Sequence, residues 1–251
     1  MTLRKYLVAF LATGAWLVFG GAASAAFPDY SDCPRSTPGI LGCVDIQSVE
    51  GNLRIKDFNV PLGDSLEIRG GLAAEEGGAT FIPPAGTNGF FAEPVEVPGG
   101  LLGIDWLPGN KVLAITELAG PPSSIHLDLV NFTVSLPVKV RLVNVLLGMN
   151  CHIGTNSNPV NLTLITGTTE PPPPNEPITG SIGTVRIVPP SELQLLGAVN
   201  VENSFGIPDS SSCGLGLGLI NLLVDARLGL PSAPGNNSIE VTNNIGLLSL
   251  T

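Results

Sequence analysis

Few residues in this sequence carry the side chains that acid–base or nucleophilic chemistry needs. Histidine occurs twice, at His126 and His152, and a serine hydrolase depends on a histidine base. His126 lies between two apolar residues in an alternating pattern, which predicts a solvent-facing position on a strand beside Asp128. His152 directly follows Cys151, and we expect a disulfide to hold it in place. Since no hydrolase, metalloprotease or nucleotide-binding motif is present, we predict no catalytic residue.

Paired carboxylates are the other catalytic arrangement to consider, because two of them can hydrolyse a glycosidic bond. Asp105, Glu117 and Asp128 are candidates, but a chain with 21 acidic residues brings some of them together in any fold. Sugar sites also use aromatic platforms, and beyond residue 25 the chain has one tryptophan, Trp106, and one tyrosine, Tyr30. We predict that the protein is not an enzyme and that Trp106 anchors the core.

A metal site is not indicated. Zinc needs four nitrogen or sulfur ligands at recognisable spacings, whereas the chain has no C-x-x-C and a single cysteine–histidine neighbour pair, Cys151-His152. Loop oxygens of Asp64 and Glu67 could contribute to a calcium site, but their spacing is not diagnostic. We predict no metal ion and no cofactor.

The four cysteines are Cys33, Cys43, Cys151 and Cys213. An even number in an exported chain indicates disulfides, and three pairings are open. Cys33–Cys43 is the most economical, because the prolines and glycines between them favour a tight local loop; Cys151–Cys213 then remains.

The first 25 residues have the organisation of a secretory signal peptide. Arg4 and Lys5 precede an apolar run over 7–19, and Ala23-Ser24-Ala25 forms an Ala-x-Ala cleavage site. The run is shorter than the roughly 20 residues that span a bilayer. We predict cleavage after Ala25, with cleavage after Ala26 as the alternative, and a secreted or cell-surface location.

Charge excludes one class of partner. The whole chain has a net charge of −10, and removal of Arg4 and Lys5 leaves 9 basic and 21 acidic residues, a net charge of −12. Because an acidic protein without a basic cluster repels phosphate backbones and anionic lipid surfaces, we predict no nucleic-acid binding.

Composition and periodicity favour an all-β protein. Gly (31) and Pro (23) are abundant, apolar residues reach 43% and charged residues only 13%, which argues against disorder and against long helices. Many segments alternate apolar and polar residues, such as 138–142 and 161–164, with Gly or Pro every 8–15 residues. We predict a mainly antiparallel β-sandwich or barrel-like fold, in which Pro137 marks an edge strand or a bulge.

One segment, 215–228, has helical spacing instead. Its apolar residues recur at three- and four-residue steps, and Gly229 provides a stop. The residues on this apolar stripe are Leu217, Ile220, Leu223, Val224 and Leu228.

A proline-rich segment, 168–180, divides the mature chain into a β-rich stretch, 26–167, and a smaller one, 181–251, that contains the helix. Consecutive prolines favour an extended spacer. The two stretches share short similarities, 51–55 with 183–187 and 100–104 with 216–220, which raises the hypothesis of a duplication. A Cys151–Cys213 disulfide would tie the stretches together.

Two regions carry a resemblance. They are the run from Gly148 to Gly154 with 158–160 and 166–180, and Ser212-Cys213-Gly214 followed by Leu228 to Asn237. Both resemble segments of secreted proteins from high-GC Gram-positive bacteria (actinobacteria). The resemblance implies export and the Cys151–Cys213 pairing, and it implies no activity, cofactor or binding residue.

These observations lead to two principal hypotheses. The first is a non-enzymatic, exported bacterial surface or secreted β-protein with a structural or binding role. The alternative is a carrier of a lipid or other apolar molecule in the cell envelope, since Leu, Ile and Val dominate and β folds can enclose apolar cavities. An outer-membrane pore and a hydrolase that uses His126 and Asp128 are the remaining alternatives. Co-purifying lipid would favour a carrier, a fully packed core would exclude one, and an empty apolar interior without a measurable ligand would fit the structural role.

Overall fold

A computed structural model describes residues 27–75, 78–104, 106–122, 124–127, 131–214 and 218–250. The predicted signal peptide, the candidates Asp105 and Asp128, and 215–217 at the start of the predicted helix lie outside the described residues.

The described residues form fifteen strands and one short helix, which confirms the all-β class. The elements are β1 Ile40–Ile55, β2 Phe58–Pro61, β3 Leu66–Glu75, β4 Gly78–Ile82, β5 Phe90–Ala92, β6 Val95–Glu96, β7 Leu113–Leu118, β8 Ser124–Leu127, β9 Phe132–Val143, β10 His152–Ile153, β11 Val160–Ile165, β12 Thr184–Val188, β13 Glu192–Glu202, β14 Ser210–Ser211, α1 Leu219–Leu228 and β15 Asn237–Ser249.

The strands pair into one sheet that closes on itself. Its order is β11-β13-β15-β1-β3-β4-β8-β9, and β9 pairs with β11 again to complete the ring. All of these described pairings are antiparallel. Of the two predicted architectures, this closure corresponds to the barrel-like one.

The alternation predicted from sequence sets the two faces of the sheet. In β9, Val138 and Leu142 are buried in the core, whereas Lys139 and Arg141 between them point outward to Glu117. In β11, Val160, Leu162 and Leu164 are buried and the residues between them are exposed. Because side chains alternate across a strand, one buried face follows from the period of two.

Pro137 lies within β9 and, among the described residues, has a ladder partner on one side only. It faces Asn161 of β11 on one side. On the other side, β9 pairs with β8 up to Ser135 and with β7 from Val138 onward. Proline lacks an N–H to donate, and Pro137 sits at the position where β9 changes partner.

The helix is present and ends as predicted. α1 covers Leu219–Leu228, and Gly229 follows it in the left-handed conformation with φ 71°. Val224 and Leu228 are buried, whereas Leu219 and Leu222 are exposed. No helix among the described residues is long and apolar enough to cross a membrane.

Both disulfides form in the pairing that the sequence favours. Cys33 bonds to Cys43, and Cys151 bonds to Cys213 with a Cα–Cα distance of 4.1 Å. The second bond joins the residue before β10 to the segment after β14, and these two strands also pair with each other.

Residues 168–180 fold back on themselves instead of extending as a spacer. The Thr169 amide donates to the Ile178 carbonyl at 2.9 Å, and the Gly180 amide donates to the Gly167 carbonyl at 2.9 Å. Strands from both sides of this loop then pair with each other, β1 with β15 and β11 with β13.

Of the two pairs of segments compared as a duplication, 51–55 and 184–187 both lie in strands, β1 and β12, whereas the second pair folds differently. Residues 100–104 lie in consecutive turns, whereas 219–220 at the end of the compared 216–220 segment begin α1.

Candidate functional site

The core inside the closed sheet contains a cavity of about 110 Å³. Every residue that lines it is apolar except Thr116. The lining residues are Leu53, Ile55, Val60, Leu62, Leu66, Phe90, Val95, Val97, Ala114, Thr116, Leu136, Val138, Val140, Leu142, Ile153, Val160, Leu162, Leu164, Phe205, Ile207, Leu228 and Ile239.

One wall of the cavity is formed by the alternating faces of β9 and β11, whose lining residues are buried except for the half-buried Val140. Leu136, Val138 and Leu142 of β9 and Leu162 and Leu164 of β11 are all buried. Their positions follow directly from the period of two, because every second residue of each strand faces inward.

The opposite wall is only half-buried. Leu62, Leu66, Phe90, Val95 and Ala114 line the cavity from the β3, β5, β6 and β7 side, and each retains part of its exposure. β5 pairs with β3, β6 pairs with β7, and no ladder joins β5 to β7 among the described residues. This side is therefore where the cavity approaches solvent.

The chemistry of this site is apolar binding. Water gains little from an apolar void of this size, whereas an apolar molecule gains about 0.8 kcal/mol for each CH₂ it removes from water. Thr116 offers the one hydroxyl on the wall, which can accept or donate one hydrogen bond to a polar atom of a ligand. No titratable side chain is among the described lining residues, so the site has no group for proton transfer.

The sequence-selected histidine and carboxylate residues lie elsewhere. Glu117, Lys139, Arg141 and His152 meet on the outer face of β7, β9 and β10. The Glu117 carboxylate lies 2.6 Å from Arg141 Nε, 3.5 Å from Lys139 Nζ and 3.6 Å from His152 Nε2. Partial burial raises the pKa of Glu117, but the three basic groups outweigh it and the net shift is downward. This is an ion-pair cluster on a strand surface, where such pairs contribute little to stability.

The remaining sequence candidates do not converge either. His126 is exposed and its imidazole lies against Gly78. Asp64 is exposed on a turn, and Glu67 contacts Arg69 and Gln47 at 3.2 and 3.1 Å. Within the part of the chain that the structure describes, no group of three His, Cys, Asp or Glu side chains could hold a metal ion.

Trp106 is not a core anchor. Its side chain is 82% exposed on the loop between β6 and β7. That loop consists of turns that close around Asn110, whose amide group donates to the carbonyls of Gly99 and Ile104 at 2.8 and 2.7 Å. The Asn110 side chain thus forms hydrogen bonds with backbone carbonyls of its own loop, and Trp106 lies on the protein surface.

Sequence reasoning missed two buried acids, Asp45 and Glu202, of which Asp45 is the more deeply buried. Asp45 lies on β1 with no exposure, and its Oδ2 accepts a hydrogen bond from the Asp29 amide at 2.6 Å. Its Oδ1 is buried without a partner. Burial raises the pKa of Asp45 to about 7; the Asp29 amide and Arg69 oppose this shift, and Glu67 and the Asp29 carboxylate add to it. The only sequence signal is one acidic residue between Val44 and Ile46.

Together, the fold and the site define a disulfide-bonded, all-β protein with a closed sheet and an apolar internal cavity. Comparison with protein-family models, curated proteins and solved structures found no match for this chain.

Proposed function

We propose that this chain is an exported, non-enzymatic β protein that binds a small apolar molecule in its core cavity. The observation that carries the proposal is the apolar lining of that cavity, with Thr116 as its single polar member. The predicted signal peptide and the two disulfides support export, because disulfides persist in oxidising compartments.

The cavity limits the size of the bound group. An engineered protein cavity of about 150 Å³ with a similar aliphatic and aromatic lining accommodates benzene. At about 110 Å³, this cavity fits one small ring or a short aliphatic segment. A longer molecule would extend through the half-buried side between β5 and β7.

The first experiment asks what the protein carries when it is made. Residues 26–251 are secreted into an oxidising compartment, purified without detergent and analysed unreduced by native mass spectrometry. We expect the protein to weigh four hydrogen atoms less than the reduced chain, because two disulfides have formed. We also expect the added mass of a bound molecule, which denaturation releases. A chain that never carries an added mass would instead support the structural role.

The second experiment tests the cavity directly with benzene, whose size suits a cavity of about 110 Å³, and follows its binding by titration calorimetry. We expect binding to the wild-type chain and at least a tenfold weaker affinity in Ala114→Phe, whose ring occupies the cavity.

The matched control is Ile115→Phe. It places the same ring on the same strand but on the opposite face, away from the cavity, and its affinity should stay within twofold of wild type. Urea unfolding confirms that both variants are folded. Equal affinities in the two folded variants, or no binding to the wild-type chain, would reject the proposal.

A further inference from the structure

Exposed apolar side chains are concentrated at one place in the molecule. Of the fifteen large apolar side chains that are exposed in the described chain, ten lie in just three segments: the β6–β7 loop (97–112), the β9–β10 loop with the preceding Val143 (143–151), and α1. We use the name apolar tip for the most exposed residues of these segments. They are Leu102, Ile104, Trp106, Val145, Leu146, Met149, Leu219 and Leu222.

The three segments are bound to one another. Asn144 of the β9–β10 loop donates to the carbonyls of Gly109 and Lys111 in the β6–β7 loop at 2.9 and 2.7 Å. Arg227 of α1 donates to the Pro98 carbonyl at 2.9 Å. The Leu147 carbonyl accepts from the Gly214 amide, shortly before α1, at 2.7 Å. The apolar tip is therefore one surface.

Three of the four charged residues of these segments contact other groups of the protein, although the buried Arg227 Nε has no hydrogen-bond partner within the described part of the chain. Arg227 also lies over the Phe58 ring at 4.7 Å, and Asp225 accepts a hydrogen bond from the Ser210 amide at 2.8 Å. Lys111 pairs with Glu96 at 2.6 Å. Asp105 is the other charged residue of the three segments in the sequence, and it lies outside the described residues.

Two of the side-chain amides at the base of the tip are also used within the protein, whereas the exposed Asn150 side chain has no hydrogen-bond partner among the described residues. Asn110 donates to two carbonyls of its own loop, and Asn144 joins the two loops. A protein partner would normally find hydrogen-bonding groups around an apolar centre. A lipid layer, by contrast, requires the backbone and side-chain polar groups to be satisfied internally.

We propose that the apolar tip inserts into the surface of an electrically neutral lipid layer. Val145, Met149 and Trp106 are 94%, 89% and 82% exposed, so they project from their turns instead of forming a flat face. Tryptophan favours the boundary between lipid and water, and isolated apolar side chains on loops can enter it at low cost. The mature chain's charge of −12 would repel an anionic surface, which restricts the partner to neutral lipid.

The tip also adjoins the cavity, and this part of the inference rests on the proposed function. Val97 at the start of the β6–β7 loop and Leu228 at the end of α1 both line the cavity. They also border a small void of about 20 Å³ beneath the tip, together with Leu101, Leu147 and Val224. The segments of the tip and the cavity therefore share two buried apolar residues, with Arg227 also bordering the void between them.

Trp106 provides a direct test, because it is the only tryptophan beyond residue 25. Vesicles of phosphatidylcholine, whose headgroup is zwitterionic and has no net charge, are mixed with residues 26–251. Tryptophan fluorescence and flotation of the protein with the vesicles are recorded. We expect a blue shift of the Trp106 emission and flotation with the vesicles, insensitive to salt. Vesicles that contain phosphatidylglycerol should bind the protein more weakly at low salt.

The test variant is Val145→Glu with Met149→Glu, which should weaken vesicle binding at least tenfold. The matched control is Val185→Glu with Ile187→Glu, which adds the same charge to exposed residues of β12, outside the tip. We expect this control to bind vesicles as wild type does, apart from a small electrostatic effect that both variants share. Equal binding by the two folded variants would overturn the proposal.

Two further outcomes separate this inference from the cavity proposal. If the tip is instead a contact between two copies, the wild-type chain will dimerise in sedimentation experiments, the tip variant will not, and vesicles will bind neither. In solution, the tip variant should still bind benzene, and Ala114→Phe should still bind vesicles. Absence of benzene binding by the wild-type chain, with vesicle binding intact, would reject the cavity proposal and retain the tip proposal.

Discussion

At the scale of single residues, Asp45 occupies an environment that opposes its charge. It is fully buried on β1, its Oδ1 has no partner, and the carboxylates of Glu67 and Asp29 are close enough to disfavour ionisation. Gln47 donates to its Oδ2 at 3.0 Å, as does the Asp29 amide at 2.6 Å. The N-terminal segment from residue 27 thus covers a carboxyl group that is held with a pKa of about 7.

This raised pKa predicts a loss of stability as pH rises. The pKa of Asp45 is about 7 in the folded chain against 3.8 for the free group, so the folded state binds more protons between these values. The contribution of Asp45 is fully present below pH 3.8 and is lost as pH rises through about 7. The total is on the order of 4 kcal/mol, since each pKa unit between these values corresponds to about 1.4 kcal/mol.

Asp45→Asn removes this titration. We expect the free energy of unfolding of wild type to fall relative to that of Asp45→Asn between about pH 4 and about pH 8, as measured by urea unfolding. Asp64→Asn, at an exposed turn, serves as the control and should leave the pH dependence of wild type unchanged. Parallel curves for wild type and Asp45→Asn would contradict the prediction.

At the scale of elements, the stability of α1 depends on Gly229, the residue at which the helix ends. Gly229 has φ 71°, and the Leu230 amide donates to the Asp225 carbonyl at 2.8 Å, so the last turn closes onto a left-handed residue. A Cβ at this position would also lie 3.2 Å from Lys56 Cδ. Glycine is favoured here because L-residues enter this conformation only with strain.

Gly229→Ala should therefore destabilise the protein by about 1 kcal/mol. We expect the effect first as faster amide hydrogen exchange in α1, because only Val224 and Leu228 of the helix are buried. Gly229→Asn should cost less, since asparagine tolerates the left-handed region better than alanine. Unchanged exchange in α1 of Gly229→Ala would show that the left-handed end does not hold the helix.

At the scale of the whole molecule, the two disulfides constrain very different lengths of chain. Cys33–Cys43 spans 10 residues and Cys151–Cys213 spans 62. In the chain-entropy model, a longer closed loop restricts the unfolded chain more, which gives about 3 and about 4 kcal/mol for the two bonds.

We therefore expect the double variant Cys151→Ala with Cys213→Ala to lose more stability than Cys33→Ala with Cys43→Ala. Alanine is used because Cys43 and Cys151 are fully buried and a serine hydroxyl there would add its own cost. The measurement is urea unfolding of each variant, with the slope compared to wild type. The reverse order of stabilities would show that native contacts of the short loop outweigh chain entropy.

Local sequence patterns were enough to predict several strands, the helix and the number of disulfides. The alternation in 138–142 and 161–164 identified two strands and the faces that form one wall of the cavity. The three- and four-residue spacing before Gly229 identified α1 and its end, and the number of cysteines indicated two bonds. Each of these depends on residues close together in the chain, so that the spacing of side chains is enough to predict it.

Only the tertiary structure decided which segments meet. Pro137 is tolerated within β9 because the strand changes partner there, and Asp45 is buried because a segment sixteen residues earlier covers it. The cavity and the apolar tip each combine residues from distant parts of the chain, and Trp106, which the sequence placed in the core, lies on the tip. Strand pairing and loop contacts bring these residues together, and the local periodicity of a segment does not encode which distant segment it will contact.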